Sequence, residues 1–324
     1  MAATAANTGR DTRHLLWFAI PLAIGGSLAA ALITGHDAMT ASAARTLAVI
    51  GGVVTVGLCA LPWLLRGEHI QRQRAAQREI RRWRMIAVSS AGWCGATLAF
   101  AAADAAELAG VSVAQLDIGD FQTYVTHVVA GRIVVLVLVC TALLTLVGAV
   151  LSHGRIPDPA QWTMPAAAIA LLGLVAMPLA GHASHEALTA LLITGHTAAA
   201  GLWCGLLCGQ ALLLRSRTEW SVSLPAFSRW ALVFVATVGV SGIASTLLLS
   251  TPAELVTSGY GRIILAKAGL LAVLLSLGYL WRRVWVADAR RHRGDTAVSV
   301  RRAAIEVAMM AVAFGLAATL ASSA

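Results

Sequence analysis

The residues best suited to binding a metal lie close together in one apolar stretch, MPLAGHASHEALTALLITGHTAAAGLWCG. Two of its histidines, His182 and His185, are three residues apart and share one face if this segment is helical. Met177 precedes them and His196 follows them. Imidazole suits copper and zinc, and thioethers select Cu(I), whereas magnesium and calcium prefer carboxylates. These four side chains therefore predict a copper site, with the metal as Cu(I).

Each of these residues also has a purely structural interpretation. A hydrogen bond between helices is the alternative for His182 and His196, and exposure to water is the alternative for His185. Met177 can simply fill the core, as methionine commonly does. The spacing alone leaves both interpretations open.

Two cysteines continue the same apolar stretch. Cys204 and Cys208 are four residues apart and lie about 80° and 120° around a helix from His196, at about 100° per residue. Soft ligands in this order could form an inner relay for copper, and packing is the alternative. Trp203 is seven residues from His196, so it lies on nearly the same face and either caps the site or packs against it.

Few other charged residues fall in apolar stretches. Lys267 lies five residues beyond Arg262 and can extend its ammonium group outward. Glu306 follows Arg301 and Arg302 at the predicted start of a helix, and we expect it to pair with one of them. Proton or ion coupling is the alternative for Lys267 and Glu306. No Walker loop, HExxH motif or GxSxG elbow is present, so we expect a protein that is not an enzyme.

The composition indicates what must position these residues. The 324 residues are 58% hydrophobic and 12% charged, with a mean hydropathy of +0.77, whereas soluble domains carry about 25% charged residues. Runs of about 20 apolar residues span a bilayer as helices. We predict an all-α polytopic membrane protein with about nine spans: Leu15–Thr34, Thr46–Leu65, Met85–Ala106, Ile133–Ser152, Met164–Ala180, Ala187–Leu214, Trp230–Leu249, Ile263–Trp281 and Ala303–Ala321.

The charge distribution predicts the orientation. The formal net charge is +9, and most lysines and arginines fall in the segments that share a side with the N-terminus. Positive charge accumulates in cytoplasmic loops, which predicts a cytoplasmic N-terminus and an outer C-terminus. The basic residues then face lipid headgroups, and a nucleic-acid partner is not expected. The five cysteines all lie in apolar runs, which argues against a disulfide framework.

The pentapeptide LITGH occurs twice, at Leu32–His36 and Leu192–His196. The predicted helices carry the two copies in opposite directions and to different depths. An inverted repeat is one interpretation, but the flanking residues do not match. We interpret the duplication as accidental.

The second half resembles the copper resistance protein D (CopD) family, from about Gly181 to Ser322. The resemblance rests on an ordered set of segments: GHASH, GHTAAAGLWCGLL, PAFSRWALVFVATVGVSGIASTLL, TSGYGRIILAKAGLLAVLLSLGYLWRR and VRRAAIEVAMMAVAFGLAATLA. TRHLLWFAIPLA and VAGRIVVLVLV in the first half more loosely resemble the amino-terminal helices of actinobacterial members. We therefore expect an amino-terminal four-helix region over 1–160 and a CopD-like five-helix region over 161–324.

The resemblance implies a copper-handling protein of the bacterial inner (plasma) membrane, acting as a copper permease or a membrane copper donor. His182 and His196 match the family's candidate ligands, and Tyr260, Arg262 and Lys267 match its loop-to-helix signature. The implied partners are membrane lipids, a periplasmic copper chaperone and cytochrome oxidase assembly factors. Cys204 departs from the family pattern, because it precedes a single glycine where the family has two.

Two functions from other classes compete with copper handling. A haem-binding electron-transfer protein would use pairs of deep histidines from two helices as axial ligands. A metal-free scaffold for oxidase assembly would not need its histidines at all. Only His196 is predicted to lie deep in the bilayer, which argues against haem.

Overall fold

The computed structural model describes residues 12–35, 39–65, 72–154, 158–180, 186–249, 251–281, 283 and 296–320. These residues form α-helices and short 3-10 turns, without a strand among them. The α-helices are α1 Ala19–Thr34, α2 Met39–Ala60, α3 Arg72–Ala109, α4 Ile118–His127, α5 Val129–Leu151, α6 Thr163–Ala176, α7 Ala187–Leu213, α8 Arg217–Leu249, α9 Pro252–Thr257, α10 Gly259–Trp281 and α11 Thr296–Leu320.

Nine helical segments in the described ranges are long and apolar enough to cross a membrane. They contain all of the helices except the short α4 and α9, and each overlaps one predicted run. The prediction of an all-α polytopic membrane protein is therefore confirmed. Two helices begin well before their apolar runs, α3 at Arg72 and α8 at Arg217, because arginine is a good helix former and continues the helix beyond the apolar part. The orientation in the membrane stays a prediction.

Helices from the two ends of the chain pack together. The first helix, α1, packs along the last, α11, and α2 lies between α3 and α7. On the other side of the bundle, α5 contacts α3 and α6, while α8 packs mainly against α7. The division of the chain near residue 160 stays a prediction.

Glycines set the closest approach in this bundle, between α2 and α7. A Cβ added at Gly57 would lie 1.9 Å from the carbonyl carbon of Gly205, and one added at Gly205 would lie 2.3 Å from the carbonyl oxygen of Val53. Small residues allow membrane helices to approach until their backbones touch. A single glycine at Gly205 is therefore sufficient for close packing.

Two other glycine pairs contribute unequally to helix packing. Gly51 and Gly52 both contact Trp93, and Gly26 lies against the backbone of Val312. A Cβ at Gly25 would meet nothing within 4 Å. Gly26 therefore contributes to close packing with α11, and Gly25 does not.

We expect Gly57→Ala to destabilise the protein, because the new methyl group would collide with backbone atoms that cannot rotate away. Overpacking typically costs about 1–3 kcal/mol. Thermal unfolding in detergent, followed by tryptophan fluorescence, measures the effect. The control is Gly92→Ala on α3, where an added Cβ has no neighbour within 4 Å. Equal melting temperatures for the two variants would contradict the proposed role of the glycine contact.

Candidate metal site

The contact between α2 and α7 determines where His196 points. His196 is the tenth residue of α7 and lies nine residues before Gly205. Nine residues make about two and a half turns of helix, so His196 projects from the side opposite to Gly205. That side faces α8, and the imidazole is half-buried there.

Ser241 on α8 holds the imidazole of His196 by a hydrogen bond. The His196 Nδ1 atom lies 3.0 Å from the Ser241 Oγ atom. The Ser241 hydroxyl also lies 2.5 Å from the carbonyl oxygen of Thr237, to which only the hydroxyl can donate. Ser241 therefore accepts a hydrogen bond from Nδ1–H of His196. This assignment leaves the lone pair of Nε2 available to a ligand, the arrangement typical of metal-binding histidines.

Two further residues shape the surroundings of the ring. A Cβ added at Gly242 would lie 3.7 Å from the His196 Cε1 atom, so glycine leaves space beside the imidazole. Lys267 on α10 lies close enough for its charge to interact with His196. The Lys267 side chain is half-buried, so water screens this interaction less than it would on the surface. A cation bound at Nε2 would be repelled by it.

Of the other three predicted ligands, Met177 is the one that the structure describes. His182 and His185 lie outside the described residues, as does His36 of the first LITGH copy. Met177 is buried and begins the 3-10 turn Met177–Ala180 that follows α6. This turn packs against α5 and α7. Within the described ranges, no group of three His, Cys, Asp or Glu side chains could hold a metal ion.

Cys204 and Cys208 lie on a different face of α7 from His196. Both are buried, and all five cysteines are free. Cys204 interacts electrostatically with Glu306, so this face of α7 is turned toward α11. Trp203 shares the face of His196 and is buried in the main core. The structure therefore separates the histidine from the thiols instead of aligning them along one face.

The signature residues of α10 have unequal surroundings. Tyr260 is half-buried and packs against a small cluster of Ala30, Ile263 and Leu316, which joins α1, α10 and α11. Arg262 is exposed one turn into the helix. Tyr260 thus has a packing contact in the described structure, and Arg262 is free to meet solvent or lipid.

The expected pairing of Glu306 with Arg301 or Arg302 is wrong. The described ion pairs are Arg78–Glu219 and Arg82–Glu79, and Glu306 takes part in neither. α11 begins at Thr296, so Glu306 lies in its third turn and not at its start. Glu306 is buried there, while Arg301 on the adjacent turn is exposed.

Sequence reasoning missed Ser241 as the partner of His196, although Ser241 and Gly242 form the Ser-Gly centre of the VSGIAST segment. It also missed a polar cluster on α2, α3 and α4. There, the Tyr124 hydroxyl donates to Asp104 at 2.7 Å, and the Arg45 guanidinium lies 5.6 Å from the Phe100 ring centre. Burial, followed by the bond to Asp104, raises the pKa of Tyr124. This cluster attaches α4 to the bundle.

Two family profiles match the chain. The copper resistance protein D-like N-terminal domain matches residues 36–191, and copper resistance protein D matches residues 222–320. The chain belongs to the copper resistance protein D family. Ser241, Lys267 and Glu306 lie within the CopD match, whereas His196, Cys204 and Cys208 fall between the two matches. No curated protein and no solved structure matches the chain.

Membership of the CopD family fixes the general role. The chain is a multi-pass inner-membrane protein of copper resistance, and its nine membrane-capable helices agree with this. The family match implies that copper is involved. It does not by itself assign His196 to the metal, because neither match includes that residue.

We expect Ser241→Ala to shift the balance between the two tautomers of His196. Without the Ser241 oxygen, Nδ1–H loses one acceptor, and the Val238 carbonyl stays within hydrogen-bond reach of the ring. Protons should therefore redistribute between the two ring nitrogens. Nitrogen-15 NMR of histidine-labelled protein in nanodiscs distinguishes the two tautomers. The control is Ser276→Ala on α10, whose exposed hydroxyl donates only to the Ala272 carbonyl of its own helix. An unchanged His196 signal in Ser241→Ala would refute the hydrogen-bond assignment.

Proposed function

We propose that the chain is a copper permease or membrane copper donor that binds Cu(I) through Nε2 of His196. The observation that carries the proposal is the hydrogen bond from His196 Nδ1–H to Ser241. A histidine within a membrane span is a functional-site candidate by default. Here a neighbouring helix holds Nδ1 of His196. Nε2 can therefore bind a metal while the ring keeps its orientation.

The other ligands are proposed to come from the segment just before α7. His182 and His185 follow Met177 and precede the start of α7 at Ala187. Imidazole and thioether ligands together favour Cu(I) over harder cations. Met177 is buried in a turn that packs against α5 and α7, which supports a packing role for it. We therefore propose His182 and His185, in preference to Met177, as the ligands that bind copper together with His196.

If Cys204 and Cys208 form a second copper site, copper must move from one face of α7 to another. At about 1.5 Å per residue, these thiols lie about 12 Å and about 18 Å further along α7 than His196. Cys204 also faces α11, whereas His196 faces α8. We therefore propose the cysteines as an inner relay only if the helices around α7 rearrange.

The haem alternative requires a second imidazole opposite His196. Among the described histidines, His127 ends α4, which packs on α3 and α5, and His153 follows the end of α5. His14 lies in the first 3-10 turn, beyond the far end of α7. None of these described positions supports a bis-histidine site with His196.

We expect the purified protein to bind Cu(I) under reducing conditions and the His196→Ala variant to lose at least tenfold in affinity, about 1.4 kcal/mol. Competition with a chromophoric Cu(I) chelator in detergent measures the dissociation constant. The matched control is His153→Ala, which removes an exposed histidine whose Nδ1 bonds only the Ala149 carbonyl of its own helix.

Unchanged affinity in His196→Ala would contradict the assignment of the ligand. If both proteins bind copper equally and copper uptake into proteoliposomes also persists, the site lies elsewhere in the chain. A Soret band in the purified protein would instead support the haem alternative. Release of bound copper to a soluble acceptor, without uptake into vesicles, would favour a donor over a permease.

Lys267→Met should strengthen Cu(I) binding severalfold, because it removes a positive charge that repels a cation at His196. The same chelator competition measures this change. The control is Arg262→Gln, which removes an exposed charge from the first turns of the same helix. Equal affinities in Lys267→Met and the unmodified protein would show that the bound ion is not near this ammonium group.

A further inference from the structure

The first two turns of α8 are fixed to the turn that follows α7 and to α3. The backbone amide of Glu219 donates to the Ser216 hydroxyl at 3.2 Å, and the Glu219 Oε2 atom accepts from the Ser216 amide at 3.0 Å. The Oε1 atom of Glu219 lies 3.0 Å from the Arg78 Nη1 atom on α3. In the same stretch, Trp220 and Leu224 are each 2% exposed. The start of α8 is therefore anchored on several sides.

The later part of α8, residues 228–248, is held by far fewer contacts, and we call it the distal part. Ser241 is the one buried residue among its described side chains. The hydroxyls of Thr237 and Thr246 donate to carbonyl groups of α8 itself. Within the described ranges, His196 is the one residue of another helix whose side chain hydrogen-bonds to the distal part. The distal part is therefore held to the bundle by one polar contact and by shallow apolar packing.

Pro225 lies between the anchored start of α8 and its distal part. Proline has no N–H group, so the carbonyl group of Ser221 lacks the hydrogen bond that an uninterrupted α-helix would give it. Proline is also a usual position for a kink in a long helix. The helix is therefore easiest to bend where its strong anchorage ends.

The length of α8 gives a small bend a large effect at Ser241. Ser241 lies sixteen residues beyond Pro225. At about 1.5 Å per residue this is about 24 Å, so a bend of about 10° would move Ser241 by about 4 Å. The contact with His196 is 3.0 Å long, and hydrogen bonds are lost beyond about 3.5 Å. α7 is held in place, because its backbone touches that of α2 at Gly57.

We propose that Pro225 is a hinge on which the distal part of α8 swings away from α7, and that the hydrogen bond from His196 to Ser241 is the latch that closes it. The structure shows the closed state. Ser241 and the nearby Val238 carbonyl both belong to the distal part, so the imidazole would lose both when the hinge opens. Opening would also uncover the face of α7 that carries His196.

The hinge itself follows from the contacts of α8 alone, whereas its link to copper rests on the proposed function. A metal on Nε2 of His196 requires the proton to be on Nδ1, and the latch holds the ring in that form. Bound copper and the closed state would therefore favour each other, because a ligand favours the state to which it binds better. Opening of the hinge would then favour release of copper.

Distances between two spin labels in metal-free nanodiscs measure the motion without any copper. One label is placed at Leu247→Cys in the distal part and the other at Val139→Cys on α5, both at exposed positions. Cys94→Ser removes the half-buried thiol, and the other four cysteines are buried. We expect two populations of distance between these labels, one for the closed state and one for the open state.

Two variants should shift these populations in opposite directions. Pro225→Ala restores the backbone hydrogen bond to the Ser221 carbonyl and should leave mainly the closed population. Ser241→Ala weakens the latch and should increase the open population severalfold. The matched control is Pro165→Ala, an exposed position in the first turn of α6, where a backbone N–H has no partner within its helix. We expect the control to leave the distances unchanged.

A label at Thr218→Cys in place of Leu247→Cys reports on the anchored start of α8, where the side chain is exposed. It should show one narrow distance in every variant. Equal broadening at both positions would overturn the hinge, because α8 would then move as a whole. A single distance at Leu247→Cys that none of the variants changes would also overturn it.

Transfer of Cu(I) to a chromophoric chelator, followed by stopped flow, tests the link to copper. We expect Pro225→Ala to release copper severalfold more slowly than Pro165→Ala. Equal release rates from two variants that differ in their label distances would overturn the coupling of the hinge to copper. A protein that binds no Cu(I) would contradict the proposed function, and the metal-free distances would still decide whether the hinge exists.

Discussion

The close contact between α2 and α7 is the constraint on which the other positions depend. Gly57 and Gly205 bring the two backbones together and so fix the rotation of α7 about its own axis. Once that rotation is set, each neighbouring helix meets a particular set of α7 side chains. α8 meets His196, α11 meets the side that carries Cys204, and α2 meets the glycines. The two glycines thereby determine which neighbouring helices the polar side chains of α7 contact.

Some polar groups inside the bundle form hydrogen bonds to neighbouring helices, because lipid offers them none. His196 uses Ser241 on α8, and Arg82 uses the Leu58 carbonyl and the Thr163 hydroxyl from two other helices. Each of these bonds costs little once the helices are packed, yet each would be expensive to leave unmade. These hydrogen bonds therefore show which helices are neighbours. Breaking them would cost free energy, so they oppose any change in which helices pack together.

Hydropathy was sufficient to predict the spans, because a bilayer requires about 20 apolar residues and little else. The angles between His196, Cys204 and Gly205 also follow from helix geometry, and the structure agrees with them. The hydrogen-bond partners of these side chains could not be predicted, because the sequence does not show which neighbouring helix packs against each face of α7. Ser241 was missed for that reason. Glu306 was mispaired because its helix begins further upstream than the apolar run.

The separation of faces on α7 has a consequence for movement of a metal. A copper ion passing from His196 to Cys204 would leave the interface with α8 and enter the interface with α11. α2 cannot yield, since its backbone already touches that of α7 at Gly57. α8 and α10 are the least buried of the described spans, so displacing them breaks the fewest packing contacts. Any rearrangement that joins the two faces therefore falls to α8 and α10, which also carry Ser241 and Lys267, while α2 and α7 stay together as the fixed part of the bundle.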